Sequence, residues 1–249
     1  MVEPKGGGLH GGRARAGEAR AAARLGGAQG DRLVDPVAAA EESESGRAAG
    51  GSGFKKKLTD TLAEEEAKHP DKPVEVWATD EHRLGLKPIH RRVWAPIGER
   101  PIAFGHHRYE WLYVTAFVAP ASGETVWFLS NGIDKPFFAK LLEAFARATG
   151  AGRDRIIVLQ LDNAGWHGPE NLAVPDGIRL VYQPAYSPEL QPAEHLWPLV
   201  DEALANKHFD TIDDLDVVVG TRCCHLHQDR SMIAQHTNFH WWPKSAVPN

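Results

Sequence analysis

Residues 155–162, RIIVLQLD, are a nearly continuous apolar run that ends on a carboxylate. A strand carries such a run when both its faces are covered, and helices on either side of a sheet supply that cover. The flanking segments fit the same plan. VEVWATDEHRLGL (74–86) begins as a strand of β-branched and aromatic residues, and RRVWAPIGERPIAFG (91–105) reads as a second strand broken by Pro and Gly. YEWLYVTAFVA (109–119) and ETVWFLS (124–130) flank Pro120-Ala121-Ser122-Gly123, a hairpin signal. Phe138, Leu141, Leu142 and Phe145 follow i, i+3, i+4, i+7 spacing, so 135–149 is an amphipathic helix with Gly150 just past its end. IRLVYQP (178–184) is a further short strand, and a helix follows from about Pro192. The order makes a mixed α/β domain over residues 74–243, with a tail at 244–249.

The first 53 residues differ from all that follows. Nearly half are Gly or Ala and none is aromatic. Without large apolar side chains such a segment cannot offset its ordering entropy, so it reads as low-complexity and disordered. Phe54, Leu58 and Leu62 then share one helical face, which makes 54–73 a short lead-in helix or linker stopped near Pro70. Cys223 and Cys224 are the only cysteines and are adjacent, which excludes a disulfide framework and points to a reducing compartment. No apolar run approaches the ~18 residues of a membrane span. A net charge of -5 argues against coating nucleic acid by bulk charge.

Three acids stand where active sites gather. Asp80 ends the first strand and Asp162 ends the most buried one, and binding groups collect at the carboxyl ends of strands in open α/β sheets. Glu194 falls in the first turn of the helix that Pro192 begins, where the macrodipole favours a carboxylate. Ionised carboxylates brought together repel unless a cation joins them, and oxygen-rich sites suit Mg²⁺ or Mn²⁺. Two such ions ~3.5–4 Å apart can activate a water or hydroxyl and stabilise the leaving oxygen of a phosphodiester. Counted only as acids the three are weak evidence, since any chain with 33 Asp and Glu holds many triplets.

The words around the acids are more specific. TDEHRLGL (79–86), LDNAGWH (161–167) and AYSPELQPAEHLW (185–197) together resemble transposases of the IS630/Tc1/mariner superfamily, nearest the bacterial IS630 branch, whose ending FHWWP (239–243) also resembles. The resemblance covers roughly Phe54 to Pro243. It implies a DDE enzyme with an RNase H-like catalytic domain, a mixed sheet flanked by helices. Asp80, Asp162 and Glu194 would form its metal-binding triad for two Mg²⁺ or Mn²⁺ ions. Asn163, His167 and His195 match motif positions beside the triad as supporting or DNA-contacting groups. The implied chemistry is hydrolysis at a transposon end, leaving a 3′-hydroxyl that attacks a target phosphodiester, typically at a TA dinucleotide. The implied partners are transposon-end and target DNA and a second copy of the chain. The implied setting is the bacterial cytoplasm at the nucleoid. A metal nuclease without strand transfer is the same-fold alternative, and an inactive remnant that only binds DNA or a partner transposase is another.

Two departures from that family stand out. Its members carry an N-terminal helix-turn-helix region, and the Gly/Ala/Arg segment here has no amphipathic helices to build one. Pro198, four residues past Glu194, clashes with the Glu194 carbonyl in a continuous helix at a cost of ~3 kcal/mol or more, so the helix must kink or restart there and Pro198→Ser should stabilise the chain. Gln191, where Asn is commoner in the family, is milder.

Among other groups, Arg91, Arg92 and Arg108 flank the strands nearest Asp80 and are the better phosphate-contact candidates, ahead of Lys55 to Lys57 and Arg153/Arg155. Trp77, Trp94, Trp111 and Trp127 lie on strands and read as core, whereas Trp166, in the loop after Asp162, is a candidate DNA contact. Cys223, Cys224, His225 and His227 read as buried thiols beside surface histidines rather than a zinc site, because adjacent cysteines on a helix point apart. No P-loop and no nucleophile elbow occur.

Overall fold

Five strands form one sheet: β1 (Val74–Gly85), β2 (Trp111–Ala119), β3 (Glu124–Ser130), β4 (Ile156–Leu161) and β5 (Ile178–Tyr182). Their order is β3-β2-β1-β4-β5. The first three are antiparallel neighbours, and β4 and β5 lie parallel to β1 and to each other. That topology, with helices on both faces, is the RNase H-like sheet. The computed structural model describes residues 36–92, 96–98 and 109–245.

Local chemistry sets most boundaries. All six residues of β4 are buried, as a doubly covered strand requires. The β2–β3 hairpin turns at Gly123, whose φ of 71° puts it in the left-handed region and whose N–H donates to Ala119 O at 2.8 Å. A Cβ there would fall on the Arg230 carbonyl, so the glycine is required twice over. Helix α2 (Lys135–Thr149) is N-capped by Asp134, which accepts from Phe137 N at 2.8 Å, and ends at Gly150 in the left-handed region. Helix α4 (Ile212–Gln228) opens on a capping box between Thr211 and Asp214, and α5 (Arg230–Thr237) follows it.

Two cores result. On one face α2 packs Phe138, Leu142 and Phe145 against Trp77, Phe117 and Leu159. Phe145 lies flat on Phe117 (4.2 Å between centroids) and meets Trp77 edge-on (5.1 Å). Truncating such a ring to Ala costs about 3–5 kcal/mol. On the other face α1 (Pro36–Lys68), α4 and α5 cover Val76, Ala78, Val114 and Val158, and Trp242 of the terminal FHWWP closes that core.

Several expectations change. The helix expected from Phe54 begins at Pro36, so 36–53 is helical rather than disordered; its Ala-rich stretch has high intrinsic helix propensity without any apolar face. Residues 1–35 lie outside the described set. Phe54, Leu58 and Leu62 are buried, which makes α1 part of the domain rather than a linker. Most of 91–105, with Trp94, lies outside the described residues, and 91, 92 and 96–98 are not strand. Trp111 is exposed at the β2 end, where Arg83 sits 4.4 Å over its ring beside a groove that Asp201 and Leu215 also line.

The helix expected from Pro192 is a 3-10 turn, Pro192–Leu196, and α3 (Trp197–Asp201) starts afresh. Pro198 stands in the first turn of α3, where no N–H is required of it. The Glu194 carbonyl takes its bond from Trp197 N instead, so the clash never arises.

Candidate active site

Parallel pairing of β1 and β4 runs from Val74↔Ile156 to Ala78↔Gln160. Carried on by two residues, that register sets Asp80 abreast of Asp162. Asp80 does not end its strand as expected. β1 continues to Gly85 with β2 as its neighbour, while β4 stops at Leu161, so Asp80 marks where the sheet divides. Gln191 fills the division: its Nε2 donates to Thr79 O (3.0 Å), and its Oε1 accepts from Ala193 N (3.3 Å). One buried amide thereby ties β1 to the turn that carries Glu194.

Asp162 and Glu194 line one cleft of about 380 Å³ with Asn163, Pro184, Tyr186 and Ser187. Asp80 lies beside it, under Trp197, whose Nε1 donates to Asp80 Oδ2 at 2.8 Å. Burial pushes the Asp80 carboxyl up to about 7, with the charges of Glu81 and Asp162 adding to the rise and the Trp197 bond opposing it. Glu194 is also raised, by burial first and then by Asp162 and Glu189, against the pull of His195. Asp80 and Glu194 are thus raised by burial first and by the charge of Asp162 after it, and oxygen donors of this kind suit a hard divalent cation. The donor chemistry therefore fits Mg²⁺ or Mn²⁺, although no three His, Cys, Asp or Glu side chains among the described residues close around one point.

Asp162 is held from behind. Its Oδ1 accepts from Ala164 N (2.9 Å) and from His167 Nδ1 (2.6 Å). The His167 ring is fully buried against Phe138 and gives its Nε2 to Glu81 Oε1 (3.2 Å). Burial alone would lower the imidazole, but bonds to Asp162 and Glu81 raise it to about 9, so the ring is a cation at neutral pH. For Asp162, burial raises the carboxyl, and the His167 bond together with the Ala164 amide outweighs it and holds it below its usual range.

The other candidates divide. Asn163 donates to Gln183 O at 2.6 Å and pins the β4 exit to β5. Trp166, half-buried, uses its Nε1 on Glu81 Oε2 (3.0 Å) and packs on the α2 core. His195 is exposed and meets Phe239 edge-on. Arg91 gives its guanidinium to the Pro198 carbonyl (3.2 Å) and its backbone N–H to Asn206, and Arg92 is exposed. Arg108 lies outside the described residues. Arg155 is taken by Glu75 (3.0 Å) and Arg153 by Asp154 (2.6 Å). Cys223 is buried and Cys224 exposed, as adjacent helical positions dictate.

Glu81, Gln191, Trp197 and Tyr186 take working positions here that their motifs alone do not reveal. Glu81 alone had a usable signal: strand alternation sets it on the Trp77 face, where a charge stands out.

A family model described as DDE superfamily endonuclease matches residues 75–216. The uncharacterized protein y4pE/y4sA of Sinorhizobium fredii (strain NBRC 101917 / NGR234) is 33% identical over 115 residues, 46% of this chain and 81% of that one. Among solved structures, the Mos1 transposase paired-end complex with left transposon end is 13% identical with a TM-score of 0.42, covering 76% of this chain and 63% of that one. The Mos1 mariner paired-end complex with Mn is 14% identical with a TM-score of 0.47, covering 74% and 60%. The chain thus spans about three-fifths of the length of those transposases. Among the described residues no helix is long and apolar enough to cross a membrane. With the family model matching more than half of its 249 residues, Asp80, Asp162 and Glu194 among them, the chain belongs to the DDE superfamily of endonucleases.

Proposed function

We propose that the chain is the catalytic part of an IS630-type DDE transposase, which cuts DNA at element ends and joins the freed 3′-hydroxyl to target DNA. What supports this reading is the parallel β1–β4 register, which ends two residues short of Asp80 and Asp162 and so brings the two abreast, with Glu194 and Asp162 lining one cleft. Asp80, Asp162 and Glu194 would hold the divalent ions. Bound there, Mg²⁺ or Mn²⁺ supplies activation of the attacking oxygen and charge stabilisation of the leaving one. The chain's own part is to fix the carboxylates: Trp197 orients Asp80, the His167 imidazolium and Ala164 N–H orient Asp162, and Gln191 sets the Glu194 turn. Exposed Tyr186 and Asn163 at the cleft mouth would meet the DNA strand.

The full chain with Mn²⁺ should nick supercoiled plasmid, and Asp80→Ala and Asp162→Ala should each abolish nicking. Nicking that survives either substitution overturns the assignment. A second reading, an inactive remnant that binds DNA, is favoured by one observation: Asp80 does not line the cleft shared by Asp162 and Glu194. A folded chain that binds DNA and never nicks it would support that reading.

A further inference from the structure

Glu81 is a carboxylate where the fold has little use for one. Neighbouring residues of a strand face opposite ways, so Glu81 shares the Trp77 side of the sheet, and its side chain is only 6% exposed. Burying a charge is costly unless it is paired and hydrogen-bonded. Here both oxygens are engaged, Oε1 by His167 Nε2 and Oε2 by Trp166 Nε1. The imidazole is fixed in turn. Tyr182 OH donates to the His167 carbonyl (2.7 Å), and Phe138 packs on the ring at 4.3 Å. β1 and α2 thus converge on one ring, and β5 holds the backbone of the residue that carries it, while the remaining ring nitrogen points at Asp162 Oδ1. Both hydrogen bonds found on Asp162 fall on Oδ1, while its side chain is 40% exposed at the cleft. The arrangement leaves Oδ2 as the oxygen offered to whatever the cleft binds.

We propose that Glu81 is a positioning residue for Asp162, acting through His167, and that this buried relay sets the orientation in which Asp162 meets a divalent cation. The inference rests on the reading of Asp162 as a metal ligand and adds the residue behind it. Outer partners of metal ligands typically contribute 10–100-fold to affinity.

The test is Mn²⁺ binding to the full chain, followed by the loss of the free-ion electron paramagnetic resonance signal. Glu81→Gln keeps the shape of the side chain and should weaken Mn²⁺ binding about tenfold. Phe145→Leu, which loosens the same core away from the site, should lower the unfolding temperature and leave Mn²⁺ affinity alone. Asp162→Asn is the control for the underlying reading. If Asp162→Asn abolishes binding and Glu81→Gln binds as the unmodified chain does, the relay is overturned and the metal reading stands. If Asp162→Asn binds normally, or the unmodified chain does not bind, the metal reading fails and takes the relay with it. Equal weakening by Phe145→Leu also overturns the relay. Should Glu81→Gln not fold, Trp166→Phe removes the N–H on Glu81 Oε2 together with some packing on the α2 core, for which Phe145→Leu is the control: weaker Mn²⁺ binding than in Phe145→Leu supports the relay, and unchanged affinity overturns it.

Discussion

His82 lies nearly flat on Trp197, ring centroids 5.1 Å apart and planes 17° from parallel, while the same indole donates to Asp80. Asp201 holds the far side of the histidine at 2.9 Å. β1 and α3 are joined by this stack directly over the raised carboxyl of Asp80. The donor opposes that rise without cancelling it, so Asp80 is a group the metal-free fold carries at a cost.

That cost has a sign. The native carboxyl sits near 7 against an ordinary value of 3.8, so its contribution to stability is full below about pH 4 and is lost as pH rises through 7. Asp80→Asn should therefore stabilise the metal-free chain at pH 8 by on the order of 2 kcal/mol and do little at pH 4, while eliminating nicking. Urea unfolding at the two pH values measures it, and an equal effect at both would refute the assignment.

Glu65 predicts the opposite slope at a place remote from the cleft. It is buried in α1, where burial raises its carboxyl, and Lys68 (2.8 Å) with Arg179 of β5 (3.2 Å) pulls it below the ordinary 4.5. Stability from this group is present above pH 4.5 and is lost as pH falls through the lower native value. Glu65→Gln should destabilise the chain by about 1–3 kcal/mol at pH 7, with the gap to the unmodified chain narrowing towards pH 3. A gap that does not narrow would mean the loss is packing alone.

Pro198→Ser is expected to be nearly neutral, within about 0.5 kcal/mol, rather than stabilising. The proline occupies the first turn of α3, and its carbonyl already accepts from Glu202 N and Arg91. Thermal unfolding of the pair decides; a rise of several degrees would mean that Pro198 strains the Glu194 turn after all.

Tyr186 stands at φ 57°, 87% exposed, on the rim of the cleft. A bulky residue in the left-handed region costs on the order of 1 kcal/mol and gains no burial in return. Under the proposed function the ring stacks on a DNA base, an interaction of about 1–3 kcal/mol. Tyr186→Gly should then weaken binding of short single-stranded DNA roughly tenfold while slightly raising the unfolding temperature. Unchanged binding would leave the residue without a part in DNA contact.

How far the residues revealed this fold depended on how local each determinant is. The RIIVLQLD run, the hairpin around Gly123 and the α2 face with its Gly150 cap rest on spacing and turn chemistry within a few residues, and all three formed as read. The 3-10 geometry around Glu194 and the exposure of Trp111 depend on what packs from elsewhere, whereas the start of α1 at Pro36 lies in a stretch with no apolar spacing to read. α4 was legible in part: Thr211 and Asp214 spell a capping box before Leu215, Val219 and Leu226. Of the site, the three acids could be named from their motifs. The Gln191 tie and the Trp197 lid could not, since each works across more than a hundred residues of chain.

Gln191 carries a consequence beyond anchorage. Two strands paired side by side tend to keep zippering until something stops them, and β1 has seven residues to spare beyond its last partner on β4. The glutamine amide takes the Thr79 carbonyl that a longer β4 would claim. The seam beside the cleft is thus held open by a side-chain stopper, and the gap between the aspartates is set by where pairing halts rather than by the loops that line the cleft. Variation in those loops can retune what enters while the gap between the two aspartates stays the same.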